Sequence, residues 1–478
     1  MKCAGAIRRV LVLALVAAAV VVVPAGAGSP VSAACTLCAG GEFHPVTPKR
    51  ILDTRSADLN QGVGPINDVA PAGAKPSSTA DPTFNVDLYG VNNPAFVNPW
   101  LPAGVASSDV LAVVASITVV GPTQDGFLGV YPPGSPSVNS VVNLKSGKTV
   151  SNLAVLRPDD TGALTVVIHG VGDGSAHVLI DVFGWFSTST YTAGTPDEAD
   201  ERGARLVAVD PRRILDTRPT GALPPDYDQP VVIRGATTLG NPAEVVVPDN
   251  ANVVGVVLNL TVIKPTAGGF VSVLPDAPTG QVATSNANTS PGLVKGNLVF
   301  APVGADGRVH VFNKNGNTNI ALDVMGYLVN NEPEATRAGR VVPLSSPFRA
   351  FDTRQDSFGK VPLGPAQAED WSFAAFSTSV NIGGVPVGNQ AAFIGNLTNA
   401  GLARQFPTVG VEPSYLTVYP TPASAGAPPL ISNLNSIETG PVPNLALVTY
   451  GANQTIRVYN AKGYAHYIFD ISAVVLKD

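Results

Sequence analysis

The chain reads as all-β: three tandem antiparallel β-sandwich or jelly-roll domains, with small β-barrels as the alternative. Three observations predict this. Its apolar segments are short, rich in Val, Thr and Ile, and interrupted by 48 Gly and 43 Pro, residues that set turns and do not continue helices. A six-residue block returns three times, as RILDTR at 50–55 and 213–218 and as RAFDTR at 349–354. Finally, 478 residues exceed what a single core usually serves and suit about three or four cores of ordinary size. With 45% apolar residues the chain has enough to bury, which excludes a disordered polymer.

The first 34 residues read as a targeting segment. Lys2, Arg8 and Arg9 precede the apolar run Val10–Val23, which is shorter than the roughly 20 residues a membrane span needs, and small-residue cleavage sites follow it. The protein is therefore expected to be secreted or associated with a cell envelope, with no membrane span after removal of the segment. That removal takes away three cations and no acid, moving the net charge from −6 to −9. An acidic chain without a basic cluster speaks against nucleic acid as a partner.

Residues 35–46 carry Cys35 and Cys38 in CTLCAGG. In an oxidising compartment these predict a small disulfide loop; lipidation of Cys35 after VSAA is the alternative, with Ser32 standing where Leu is usual. Cys35, Cys38, Glu42 and His44 supply ligand types at short spacing but sit in a Gly-rich terminus, so no metal site is assigned.

Four further blocks follow each RxxDTR in constant order. SITVVGP, NLTVIKP and NLTNAGL come first, then GFLGVYP, GFVSVLP and SYLTVYP; a third, Asn-bearing block follows, and HVLIDVFGWF, NIALDVMGYL and HYIFDISAVV close the copies. Between copies, the few charged stretches read as solvated linkers. The predicted division is 47–187, 208–329 and 343–478, joined by linkers 188–207 and 330–342.

Alternation along HVLIDVFGWF leaves both faces apolar, which predicts a central strand. Asp181 on such a strand costs several kcal/mol unless it is paired, and Asp323 and Asp470 share its position. The recurring cations are those of the opening blocks: Arg50 and Arg55, Arg213 and Arg218, Arg349 and Arg354. One arginine of each block is therefore expected to fork onto the closing aspartate. The block's own Asp53, Asp216 or Asp352 is expected to fix its turn or the second arginine. The competing reading of these residues is a threefold-repeated anion or acidic-sugar site.

Asparagines recur as Asn143, Asn286 and Asn433, then Asn152, Asn297 and Asn444, and are expected to bond local backbone. Phe127, Phe270 and Tyr415 sit inside strands and are expected in the core; His177 and His466, with Asn319 between them in sequence order, are expected at the surface or in turns. Zinc-protease, serine-hydrolase and phosphate-loop motifs are missing, and none of the nine Glu recurs in all three copies, so no catalytic residue and no cofactor is assigned.

With its RILDTR opening and VDVxGYF-like closing strand, the chain resembles a repeat family of exported bacterial proteins over about residues 48–476. The third copy departs, ending in FDISAVV without the Gly-aromatic pair. The resemblance implies a secreted or envelope-associated β-rich module, sometimes found beside cell-wall-acting domains, and carries over no catalytic residue. The expected role is a non-enzymatic envelope or matrix protein binding cell-wall glycan or a surface protein. The alternatives are a structural spacer or self-assembling surface protein, and a carbohydrate-active enzyme using aspartates.

Overall fold

The computed structural model describes residues 8–9, 40–55, 83–88, 100–102, 105–135, 139–170, 174–191, 203–282, 284–330, 336–359, 361–374, 381–400, 413–424, 426–436 and 440–477. Cys35 and Cys38 lie outside them. Of the first 34 residues only Arg8 and Arg9 are described, running parallel to Asp370 and Trp371.

Each copy is a sandwich of two four-stranded antiparallel sheets, the outer sheet of the third extended by the short parallel strand Arg8–Arg9. In the first, β1 (Phe43–Asp53), β3 (Val110–Val120), β6 (Val150–Leu156) and β8 (His177–Ser187) form an inner sheet in the order β1-β8-β3-β6. The outer sheet is β2-β7-β4-β5, from β2 (Thr83–Asp87), β4 (Gly126–Tyr131), β5 (Val142–Leu144) and β7 (Ala163–Gly170). First strand beside last, with the chain passing between sheets, is the jelly-roll arrangement. The second unit repeats it between the strands Arg205–Asp216 and Asn319–Val329, the third between Val341–Asp352 and Tyr467–Leu476.

The inner sheets bury both faces, which is why their strands lack polar alternation. Along β3, Val113, Ala115, Ile117 and Val119 enter the sandwich of their own unit, while Ala112 and Val114 join a cluster drawn from all three units. Phe43, Phe183 and Phe186 meet Leu206, Phe300 and Met325 of the second unit and Ile394, Leu447 and Val475 of the third. Phe43 and Phe300 lie 5.3 Å apart between ring centroids. Each such side chain fully buried contributes about 1.5–3 kcal/mol. The copies are thus packed around a common threefold-like axis, and among the described residues their inner faces are covered by one another.

One end of this axis is closed by the chain segments that enter the opening strands. Phe43 N–H donates to Ala204 O at 2.7 Å, Gly41 N–H to Val341 O at 2.8 Å, and Leu206 N–H to Gly339 O at 2.9 Å. At the equivalent positions Glu42, Arg205 and Arg340, Glu42 Oε1 accepts from Arg205 Nε at 3.0 Å and Arg340 Nε at 3.2 Å, with all three residues buried. Residues 204–207 and 340–342, assigned from sequence to solvated linkers, are therefore part of the inter-unit core. Their charge reads as exposure in the sequence, but here opposite charges from different copies meet.

The Gly of the closing motif has a packing reason. A Cβ at Gly184 would sit 2.2 Å from the Phe43 ring. In the third unit Val341 replaces that Phe and Ala473 takes the place of Gly, both fully buried.

Because the shared core makes the units interdependent, heat denaturation of the 40–477 region should be one cooperative transition. Calorimetric and van't Hoff enthalpies should agree, and Phe300→Ala should lower that single transition by about 3–5 kcal/mol of stability. Three resolved transitions would contradict the arrangement.

Candidate functional site

The opening blocks and closing strands lock together identically in the three units. Arg50 forks onto Asp181, Nε to Oδ1 at 2.8 Å and Nη2 to Oδ2 at 3.0 Å. Arg213 does the same to Asp323 at 2.8 and 3.2 Å, and Arg349 to Asp470 at 2.8 and 3.0 Å. The second arginine never reaches the closing aspartate: Arg55 forks onto Asp53 at 2.9 and 2.7 Å, Arg354 onto Asp352 at 2.8 and 2.7 Å, and Arg218 onto Asp216. The block aspartate also touches the first arginine, at 3.3 Å in the first two units and 3.4 Å in the third.

Register explains the division. Arg50 stands directly opposite Asp181, whereas Arg55 lies beyond the paired strand. Burial pushes the Asp352 carboxyl up, but the hydrogen bond and charge of Arg354 outweigh it and hold the group below the usual carboxylate range. The Arg218 hydrogen bond lowers Asp216 in the same way.

The threonine of the block was not singled out from sequence. Thr54 N–H donates to Val178 O at 3.2 Å, and Thr54 Oγ1 accepts from Val178 N–H at 2.9 Å. Thr217 and Thr353 repeat both bonds with Ile320 and Tyr467. The same hydroxyls meet His177 Nδ1, Asn319 Oδ1 and His466 Nδ1 at 3.1–3.2 Å. His466 is 3% exposed and burial lowers its pKa, so it is not the surface histidine expected. The signal was there: His and Asn alternate at a position where only a hydrogen-bonding side chain fits.

These contacts leave five of the six aspartates too buried for acid–base chemistry, and the partly exposed sixth, Asp216, is taken up by Arg218. Asp53, Asp323 and Asp352 are 0% exposed and Asp181 and Asp470 at most 3%. A general acid or base must reach its substrate, and these carboxylates are occupied by arginine. Among the described residues no group of three His, Cys, Asp or Glu could hold a metal. Glu42 is held by two arginines, and His44 stacks on Trp185 at 4.2 Å.

The asparagines depart from expectation. Asn152 Nδ2 donates to Asn396 Oδ1 at 2.9 Å, and Leu445 N–H to Asn152 Oδ1 at 3.2 Å, across the seam between units one and three. Asn444 Nδ2 donates to Asn259 Oδ1 at 3.0 Å, and Leu298 N–H to Asn444 Oδ1 at 3.2 Å, across the next. Amides expected to serve local turns thus also join the copies. At the third seam Ser116 takes the place of Asn259 and Asn396, and Ser116 Oγ and Asn297 Oδ1 are buried without a hydrogen bond. The first set is also shifted: Asn143 faces Phe127, and its equivalents are Asn288 facing Phe270 and Asn435 facing Tyr415, not Asn286 and Asn433. Those three aromatics lie outside the hydrophobic clusters and are half-buried, a second correction. They sit on outer sheets, which have an uncovered face.

The seams differ in openness. Beside the third opening block, Asn139 of the first unit accepts from Arg349 Nη2 at 3.1 Å and donates to Pro347 O at 3.0 Å, leaving only about 40 Å³. Beside the second block, the equivalent seam with unit three is a groove of about 1060 Å³. Arg213, Arg218, Lys264, Tyr415 and Asn435 line it, with Leu239 and Leu430, 52% and 86% exposed, at its edges.

No family model matches the chain, and no curated protein does. Among solved structures it aligns with a chain from "the triple jelly roll fold and turret assembly in an archaeal virus", at 7% identity over 90% of this chain and 91% of that one, TM-score 0.14. A chain of Sulfolobus Turreted Icosahedral Virus aligns at 8% identity over 90% and 92%, TM-score 0.15. At those scores neither likeness carries an argument about this chain.

Three outcomes follow from the geometry. Arg213→Met should cost about 3–5 kcal/mol by leaving Asp323 buried and unpaired, and adding Asp323→Leu should recover most of it; denaturant unfolding measures both. Ser116→Asn should complete the ring of amides and stabilise by about 1 kcal/mol, seen as a higher midpoint at unchanged m-value. Because Asp352 binds its proton less tightly folded than unfolded, it stabilises the fold above the unfolded carboxylate range, about pH 3.9, and this is lost as pH falls through its folded pKa. In unfolding series from pH 6 downward, Asp352→Asn should therefore be less stable near neutrality and lose less below pH 4 than the unaltered chain.

Proposed function

We propose that this is a secreted, non-enzymatic protein of a bacterial envelope or matrix that holds cell-wall glycan in the groove between its second and third units. Export is read from the cationic and apolar start of the chain. The observation that carries the binding assignment is the contrast between two equivalent seams. One is sealed by Asn139, whereas the other leaves a 1060 Å³ groove whose walls combine a tyrosine ring, an amide and cations with the arginine-paired carboxylates of Asp216 and Glu244.

That combination suits a sugar. An aromatic face takes the apolar side of a pyranose, while amide and guanidinium groups take its hydroxyls or a carboxylate. Tyr415 and Asn435 are direct cross-strand neighbours, so one short stretch of sheet presents both. The groove belongs to the assembled chain. A single repeat lacks one wall of it and would expose its half of the shared core.

The test uses the whole chain with purified cell-wall polysaccharide. Saturable co-sedimentation is expected, weakened about tenfold or more by Tyr415→Ala and unaffected by Tyr227→Ala on an outer edge strand. No release of sugar should accompany binding. Failure of the whole chain to bind saturably, or equal binding by Tyr415→Ala, would remove the assignment.

A further inference from the structure

We propose that the glycan held in the groove is acidic and that Lys264 is the residue that reads its charge, an inference that rests on the groove being the binding site. Lys264 lines the groove and is exposed. It follows the strand Val253–Ile263, whose last residue stands opposite Asn319, whereas Arg212 stands opposite Val324. Those partners lie five positions apart on one strand, roughly 17 Å at about 3.4 Å per residue, a span for a chain of sugars rather than one ring.

The backbone at Lys264 is the first sign of a use. Its φ is +47°, in the left-handed region where a side chain crowds the following carbonyl. The turn imposes that conformation: Lys264 N–H donates to Leu293 O at 2.6 Å, Gly292 N–H to Pro265 O at 2.9 Å and Thr266 N–H to Asn317 O at 3.0 Å. The first copy makes the same turn, with Gly147 N–H donating to Pro122 O at 2.7 Å and Thr123 N–H to Ser175 O at 2.9 Å, and places Gly121 there at φ +53°. In the third copy the aligned residue of NLTNAGL is Gly401. Glycine adopts this conformation freely, so folding alone gives no reason for a lysine. A strained side chain kept at the wall of a cleft points to a role there.

Charge is the second sign. The arginines of the groove are committed: Arg212 to Glu244, Arg213 to Asp323 and Asp216, and Arg218 to Asp216. The carboxylates lining it are the same Asp216 and Glu244, each held below the usual carboxylate range by the hydrogen bond of its arginine. The Lys264 ammonium makes no ion pair or hydrogen bond among the described residues. An ammonium is a compact point charge with three donors on a flexible stem, and it suits a sugar carboxylate or a phosphate ester alike.

The test is co-sedimentation of the whole chain with purified cell-wall polysaccharide at low and high salt, beside batches whose carboxyls have been reduced to alcohols or whose phosphates have been removed. Lys264→Gly should fold with undiminished Tm, since glycine suits the turn, and bind about tenfold more weakly; Lys264→Arg should keep most of the affinity. Binding by Lys264→Gly should also fall less with salt than that of the unaltered chain. Lys148 is an exposed lysine of the first unit away from the groove, and Lys148→Met should bind normally. Loss of binding after carboxyl reduction identifies a sugar acid as the ligand, and loss after phosphate removal identifies a phosphorylated glycan. Undiminished binding by Lys264→Gly, an equal loss in Lys148→Met, or full binding of polysaccharide stripped of both groups overturns the inference. If Tyr415→Ala still weakens binding in that case, the groove assignment stands without it. No saturable binding by the whole chain removes both.

Discussion

A carboxylate on a strand that is buried on both faces is the constraint from which the rest of this structure follows. Asp181, Asp323 and Asp470 occupy the closing strand of each inner sheet, between the sandwich core on one side and the axial core on the other. An isolated charge there would cost several kcal/mol, so the neighbouring strand must supply a fork-shaped cation in register. The opening block supplies it, and Asp53, Thr54 and Arg55 then fix the end of that strand. First and last segments of each unit are tied together, so each sandwich closes only when its last strand has arrived.

Repetition around an axis creates a second constraint, because equivalent residues from three copies meet themselves. Three glutamates or three arginines at the closed end would repel; Glu42 with Arg205 and Arg340 leaves attraction. Bulk obeys the same rule. Phe43 needs Gly184 beneath its ring, and where Val341 stands instead, Ala473 is tolerated. The third copy's loss of the Gly-aromatic ending is thus compensated by packing and is no sign of decay. A single covalent chain permits such unequal solutions, which three identical subunits would not have.

How much of this was legible in the sequence depended on whether a residue's partner lay in its own copy. The three units, their all-β class and the arginine–aspartate pairing were readable, since a lone acid in an apolar strand demands a recurring cation and only the opening blocks offer one. The choice of Arg50 over Arg55 was not, because it rests on strand register. Apolar faces on both sides of HVLIDVFGWF announced double burial without saying that other copies cover the second face. Asn152 and Asn444 read as turn residues for the same reason: their acceptors and donors lie about 150 or more residues away. Phe127 and Tyr415 read as core because an aromatic in an apolar strand usually is, and only the sheet order places them on a layer with an open face.

The opening motif is therefore structural in all three places, and yet its surroundings are not equivalent. Asn139 caps the third block, whereas Ile431 and Leu430, on the corresponding loop, leave the second beside open space. Selection for folding acts on the arginine, aspartate and threonine alike in every copy, since losing any of them strands a buried charge or backbone group. It acts weakly on the loops that reach across the seams, since a seam is stable whether its rim is sealed or open as long as the inner sheets stay covered. The loops can then vary without disturbing the locks beneath them. In a chain built this way the residues that recur hold the fold, and the loops that differ between copies decide whether the recurring groups beside a seam are sealed or open.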